Sequence, residues 1–259
     1  MKQDPVGIIL GEAMDKAVGA TIRSWPYVLA ICAVHAVTVQ FPATGLGLGA
    51  AAVAFLLAPV QAFIGLRALL PDLRFATPWI VRFYVASALL SAVWLGLVFL
   101  PITAIALAAR QPNISSWAAL IPFVFLIGFG LAIWLGVKLS LAPTITVYEE
   151  RPVGESIARA WRLTTGSFGQ TFVFNTAVTL VVAILYVLPQ QLGTYASLAY
   201  VHDPSTRALV DKLVEIALVP AMVYGNVACY VGYARFLTSL EAQAEGRIVG
   251  ATKARTPAT

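Results

Sequence analysis

The chain has 259 residues, of which 59% are hydrophobic and only 11% charged, and its mean hydropathy is +0.83. Soluble domains hold roughly 45–50% apolar and about 25% charged residues, so this composition excludes a soluble globular protein and reads as an integral membrane protein. The net charge of +5 is what cytoplasmic loops facing anionic lipid require, and it sets nucleic acid aside as a partner.

At the start of the chain, Asp4, Glu12 and Asp15 interrupt the place where a cleavable signal would carry its apolar run, so the first span is expected to act as its own address. Over residues 5–23 a helical wheel gathers Glu12, Asp15, Lys16 and Arg23 on one face. Val6, Ile9, Leu10, Ala13, Ala17 and Ala20 gather on another, which predicts an amphipathic helix at the cytoplasmic interface.

Long stretches without Asp, Glu, Lys or Arg then place membrane spans near 25–40, 44–66, 80–108, 117–141, 171–189 and 214–236. The first two share one uncharged run, and the turn between them is placed at "QFPATG", with Pro42 and Gly45 as its breaks. The run from Leu163 to His202 turns polar at Gln190, so it is given a single span ending near Leu188. Helices are required because hydrocarbon offers no partner to an open backbone. The expected fold is therefore all-α: a single polytopic membrane domain of six transmembrane helices, followed by a flexible cytoplasmic tail over 246–259.

Orientation follows from the basic residues. With the N-terminus in the cytoplasm, only Arg110, Arg207 and Lys212 of the 17 Lys and Arg fall outside. Both termini are then cytoplasmic. Between the fourth and fifth spans, residues 152–165 predict a second amphipathic helix: Pro152 suits a first turn, Glu155 precedes Arg159 by four residues, and Arg162 shares that side. Ile157, Ala160, Trp161 and Thr164 lie opposite, and Gly166 is a natural stop. Arg159, Arg162, Trp161, Lys16 and Arg23 are the candidate headgroup and interface residues.

Other residues stand inside spans. His35, Asn226 and Asn175 are candidates for an intramembrane polar site, although such groups more commonly tie one helix to another. Lys138, near the cytoplasmic end of its span, is expected to extend its ammonium to the headgroups. Gly128 and Gly136, with Ala132 between them, make a small-residue stripe for close helix packing, as do Gly225 and Gly232 around Cys229. Adjacent Glu149 and Glu150 diverge on a loop and are read as structural. There is no GxGxxG, P-loop, HExxH or CxxC pattern, so no metal, cofactor or catalytic residue is assigned.

Within Leu141–Phe172, the residues Pro143, Glu149 or Glu150, Trp161, Leu163, Thr164, Gly166 and Phe168 form a recognisable pattern. A span ends in Pro, an acidic residue follows, and a helix reading roughly Ser-Trp-x-Leu-Thr-x-Gly-x-Phe leads into the next span. This resembles the bacterial inner-membrane proteins of the YciC type and the membrane domain attached to some glycerophosphodiester phosphodiesterases. Ala160 departs from the pattern, which usually has Ser there. The resemblance implies a bacterial cytoplasmic-membrane protein without catalysis of its own, since the phosphodiesterase chemistry resides in a separate soluble domain. The expected function is thus a non-enzymatic, multi-pass inner-membrane protein that binds phospholipid, a membrane partner protein or a second copy of itself. The alternative is a small-molecule or lipid transporter using polar groups in kinked helices.

Overall fold

The computed structural model describes residues 6–40, 58–70, 72–73, 77–108 and 121–255, and every regular element among them is helical. The turn expected at residues 40–45 and most of the span expected at 44–66 lie outside the described residues. The chain divides into two compact units, the first drawn from both ends of the sequence and the second from the middle, residues 76–175.

The first unit opens with α1 (Val6–Arg23) and α2 (Trp25–Gln40), which meet at 83°. Pro26 causes the bend: it has no N–H to continue the helix, and its ring would strike the Ile22 carbonyl. Ser24 fills the elbow, donating its N–H to Ala20 O at 3.1 Å and accepting from Tyr27 N at 3.0 Å. The helix α3 (Ala58–Arg67) follows, and much further along come α9 (Leu188–Tyr200) and α10 (Pro204–Arg255). The spine is α10, because α1, α2, α3 and α9 all pack on it. Val219, Val223 and Val227 of α10 bury themselves among Ala17, Ala20, Ile31 and Ile64. The helix extends into the segment expected as a tail.

The amphipathic pattern of α1 is real, but its apolar face has a different partner from the one expected. Ile9, Ala13, Ala17 and Ala20 are buried against α10, with Tyr224 Oη donating to Met14 O at 3.2 Å and Arg235 paired with Glu12. The charged residues Glu12, Asp15, Lys16 and Arg23 face out.

The second unit holds α4 (Thr77–Ala108), α5 (Ile121–Leu139), α6 (Ala142–Tyr148) and α7 (Val153–Thr165), with α4 against α5 and α6, and α7 against α5 and α6. Gly128, Ala132 and Gly136 are buried within it. The division between the units falls within α8 (Phe168–Val182), which runs through a π-helical turn at Ala183–Val187 into α9. The helix that holds the span expected to stop near Leu188 therefore continues to Tyr200. Pro189 explains the π turn, since a proline cannot bond to the carbonyl four residues back; the Leu188 N–H reaches Ala183 O instead.

Among the described residues, three helical stretches are long and apolar enough to cross a membrane: Leu126–Tyr148, Phe168–Tyr200 and Pro204–Glu245. The bent α1–α2 pair makes a fourth if it counts as one span. Their outward residues are large and apolar, with Leu126 70% and Ile184 60% exposed, as lipid-facing positions require.

The hairpin joining α9 to α10 is closed by Asp203. Its carboxylate accepts from Thr206 N at 2.7 Å, Thr206 Oγ1 at 2.6 Å and Ser205 Oγ at 2.5 Å, while its carbonyl takes the first helical bond from Arg207 N. These donors, the Ser205 hydroxyl foremost, lower the Asp203 carboxyl from 3.8 to about 2. A lowered carboxyl contributes stability above its unfolded value and loses it as pH falls through the folded one. The first turn of α10 is therefore expected to hold at pH 4 and loosen near pH 2, with the Thr206 amide resonance shifting at the same midpoint. A shift centred at the ordinary carboxyl value would refute the cap.

Candidate functional site

The segment Leu139–Phe168 builds its geometry from small and hydroxylated residues. Residues Ala142 to Val147 of α6 are all buried, with Pro143 in the first turn where a missing N–H does no harm. Thr146 Oγ1 returns to Ala142 O at 2.8 Å, which satisfies a hydroxyl that burial would otherwise strand. At Glu150 the backbone enters the left-handed region, φ 54°, a conformation unfavourable for a residue with a Cβ. It is held there from outside: Arg82 Nη1 of α4 donates to Glu150 O at 2.8 Å.

That reversal turns Glu149 inward. Its carboxylate receives Arg159 Nε at 2.8 Å on one oxygen and Arg151 on the other, and the Glu149 side chain is only 14% exposed. Glu149 and Glu150 therefore do not form a carboxylate pair, and Glu149 closes α7 onto the end of α6. Arg159, expected among the headgroup residues, is engaged in this pair.

The buried face of α7 is narrow: Ser156, Ala160 and Thr164, spaced four apart, are each 0% exposed. Ser156 Oγ bonds to Pro152 O and Thr164 Oγ1 to Ala160 O. Ala160, where the family pattern usually has Ser, needs no partner there. Glu155, Ala158, Trp161, Arg162 and Thr165 are exposed. No described residue pairs with Arg162.

Lys138 contradicts its expected extension into the headgroups. It is 6% exposed, with Nζ donating to Thr165 Oγ1 at 2.9 Å and lying 5.3 Å from the Trp161 ring and 5.9 Å from the Phe168 ring. Trp161 also meets Trp134 edge to face at 5.2 Å. Such a cation over two aromatic faces is stabilised by about 0.5–2 kcal/mol, and it fixes the indole at the rim of α7.

The intramembrane candidates separate. His35 Nε2 lies 3.6 Å from Glu215 Oε1 of α10. Asn226 Nδ2 donates to Gln61 Oε1 of α3 at 2.8 Å, an interhelical bond in which Gln61 is buried. Asn175 belongs to the other unit. Sequence reasoning missed both partners, Glu215 and Gln61, because they lie far along the chain from His35 and Asn226. Among the described residues no three of His, Cys, Asp and Glu gather as metal ligands. Comparison with family models, curated proteins and solved structures found no match to this chain.

Proposed function

We propose that this chain is a non-enzymatic, multi-pass protein of a bacterial cytoplasmic membrane, with six spans and both termini in the cytoplasm, and that α7 is the element by which it binds anionic phospholipid. The division of α7 carries the reading. Its small, hydroxylated face is used up against α5 and α6, which leaves Trp161 and Arg162 exposed beside a span. An indole settles at headgroup depth, and a guanidinium without a partner among the described residues is suited to phosphate. The resemblance over Leu141–Phe172 and the sorting of lysine and arginine support the setting. A partner membrane protein or a second copy would meet the same face.

Lipid that copurifies in mild detergent tests the reading. Phosphatidylglycerol is expected to be enriched over its share of the source membrane, and Arg162→Glu is expected to remove much of that enrichment. A bound-lipid composition equal to the bulk membrane would defeat the proposal.

The transporter reading has its own support. Glu215 and Asn226 stand eleven residues apart on α10, which puts the His35–Glu215 and Asn226–Gln61 pairs on one face about 16 Å apart. It requires that His35→Ala abolish uptake of a solute without lowering folded yield.

A further inference from the structure

A cavity of about 560 Å³ opens at the elbow between α1 and α2, within the usual range of small-ligand pockets of about 300–1,000 Å³. One wall is a single helical stripe of α3, Val60, Phe63, Ile64 and Arg67, continued by Ala68 just past the helix end. The opposite wall is the elbow itself, Ala20, Arg23, Ser24 and Tyr27. None of these lining residues is acidic.

The cavity divides by polarity, and both walls contribute to each part. Val60, Ile64 and Ala20 line it from the core of the unit, whereas Arg23, Arg67 and Tyr27 are exposed. Both arginines are the last residues of their helices. Arg67 lies 5.7 Å over the Phe63 ring, and Arg23 spends only its Nε on Gly19 O, at 3.1 Å. Among the described residues each guanidinium thus keeps N–H donors for an anion, and an apolar recess continues behind them.

We infer that this cavity is a binding site for one anionic phospholipid, with the phosphate held between Arg23 and Arg67 and an acyl chain lying along the α3 stripe. Two positive charges, a serine and a phenol at the mouth match a phosphodiester and its polar substituent. A zwitterionic headgroup would place its own cation against the same arginines. The apolar wall distinguishes the occupant from free phosphate, which has nothing to place there. The inference deepens the lipid-binding reading at a second place, remote in sequence from α7, and rests on it only for the membrane setting.

The test is thermal unfolding of the purified full chain in detergent, titrated with short-chain phosphatidylglycerol, with phosphatidylcholine of equal chain length and with inorganic phosphate. Phosphatidylglycerol is expected to give a saturable rise in Tm that the other two do not. The Arg23→Gln/Arg67→Gln variant is expected to weaken that response about tenfold, as losing charge-assisted bonds does. Both side chains are exposed, so the variant removes no core contact. Arg162→Gln is expected to remove the share of the response that belongs to α7 and to leave a saturable rise from the cavity.

An equal response to inorganic phosphate would overturn the lipid assignment. A response that survives Arg23→Gln/Arg67→Gln but disappears in Arg162→Gln would overturn the cavity and leave the role of α7 standing. No response in any of the proteins would end both. Replacing Ala68 by Leu to narrow the recess is a second check: it should weaken phosphatidylglycerol binding while the unliganded Tm stays near that of the parent, and unchanged binding would rule out the acyl path.

Discussion

Replacing Gly65 by alanine is expected to unseat α3 from α10 and sharply lower the yield of folded protein, whereas the same change at Gly225 is expected to be nearly silent. A Cβ at position 65 would stand 2.8 Å from Val227 O and 3.0 Å from Tyr230 Cβ. The first of these is backbone and has no rotamer by which to withdraw. Alanine gains about 1 kcal/mol of helix propensity over glycine, but overpacking against a fixed neighbour typically costs about 1–3 kcal/mol. The separation also pulls Gln61, one turn away, from Asn226, leaving buried amides unpaired. At Gly225 a Cβ would meet only the flexible ends of Leu185 at 3.7 Å and Val182 at 4.0 Å, which is ordinary contact. Thermal unfolding in detergent compares the two, and equal behaviour would contradict the packing described here.

Glu149→Ala is expected to lower stability and raise affinity for anionic lipid at the same time. The change leaves two guanidiniums without their shared carboxylate, and loss of partially buried charge-assisted bonds costs about 1–3 kcal/mol. The Arg159 side of the pair carries most of this, because Arg159 is 28% exposed and Arg151 is 41% exposed. Glu155→Ala serves as the comparison. Glu155 sits 3.9 Å from Arg151 and is 64% exposed, so its loss should be close to neutral. Without that carboxylate, the positive charge of Arg159 beside Arg162 is no longer offset by Glu149, which favours anionic lipid at this face. Stability and lipid binding falling together would mean that Glu149 organises the binding face rather than restraining one of its arginines.

Much of the architecture was legible in the sequence for plain reasons. An apolar composition demands helices, and the two amphipathic segments expected at 5–23 and 152–165 appear as Val6–Arg23 and Val153–Thr165. What the hydrophobic period could not say was what each apolar face touches. The face of α1 is satisfied by the valines of α10, and Ala160 and Thr164 of α7 are satisfied by neighbouring helices. The same limit applies to the glycines. A stripe in the sequence marks a face able to approach another helix, but Gly65, which stands in no stripe, also lies close against the backbone of a neighbouring helix.

Polar residues in the sequence mark neither where a helix ends nor which cation is buried. Gln190 is where the uncharged run turns polar, yet glutamine is a good helix former, and the helix carries on to Tyr200 with Gln190 partly exposed. Lys138 was expected to reach for water, because nothing in its own span offered a partner. Its partners arrive from α7 and α8 as a hydroxyl and two rings, none of which carries a charge that would advertise the contact. His35 and Asn226 stand out in the sequence as polar residues inside spans, but the packing on α10 is what brings Gln61 into a hydrogen bond with Asn226 and Glu215 within 3.6 Å of His35.

The proposed topology requires α7 to face the cytoplasm and the α9–α10 hairpin to face the other side of the membrane. Thiol labelling in sealed right-side-out and inverted vesicles measures this, using single cysteines at Ala158 of α7 and His202 of the hairpin after Cys32 and Cys229 are replaced. Ala158→Cys is expected to react only from the cytoplasmic side and His202→Cys only from the other. Reaction of both from one side, or no reaction of Ala158→Cys from either, would contradict it.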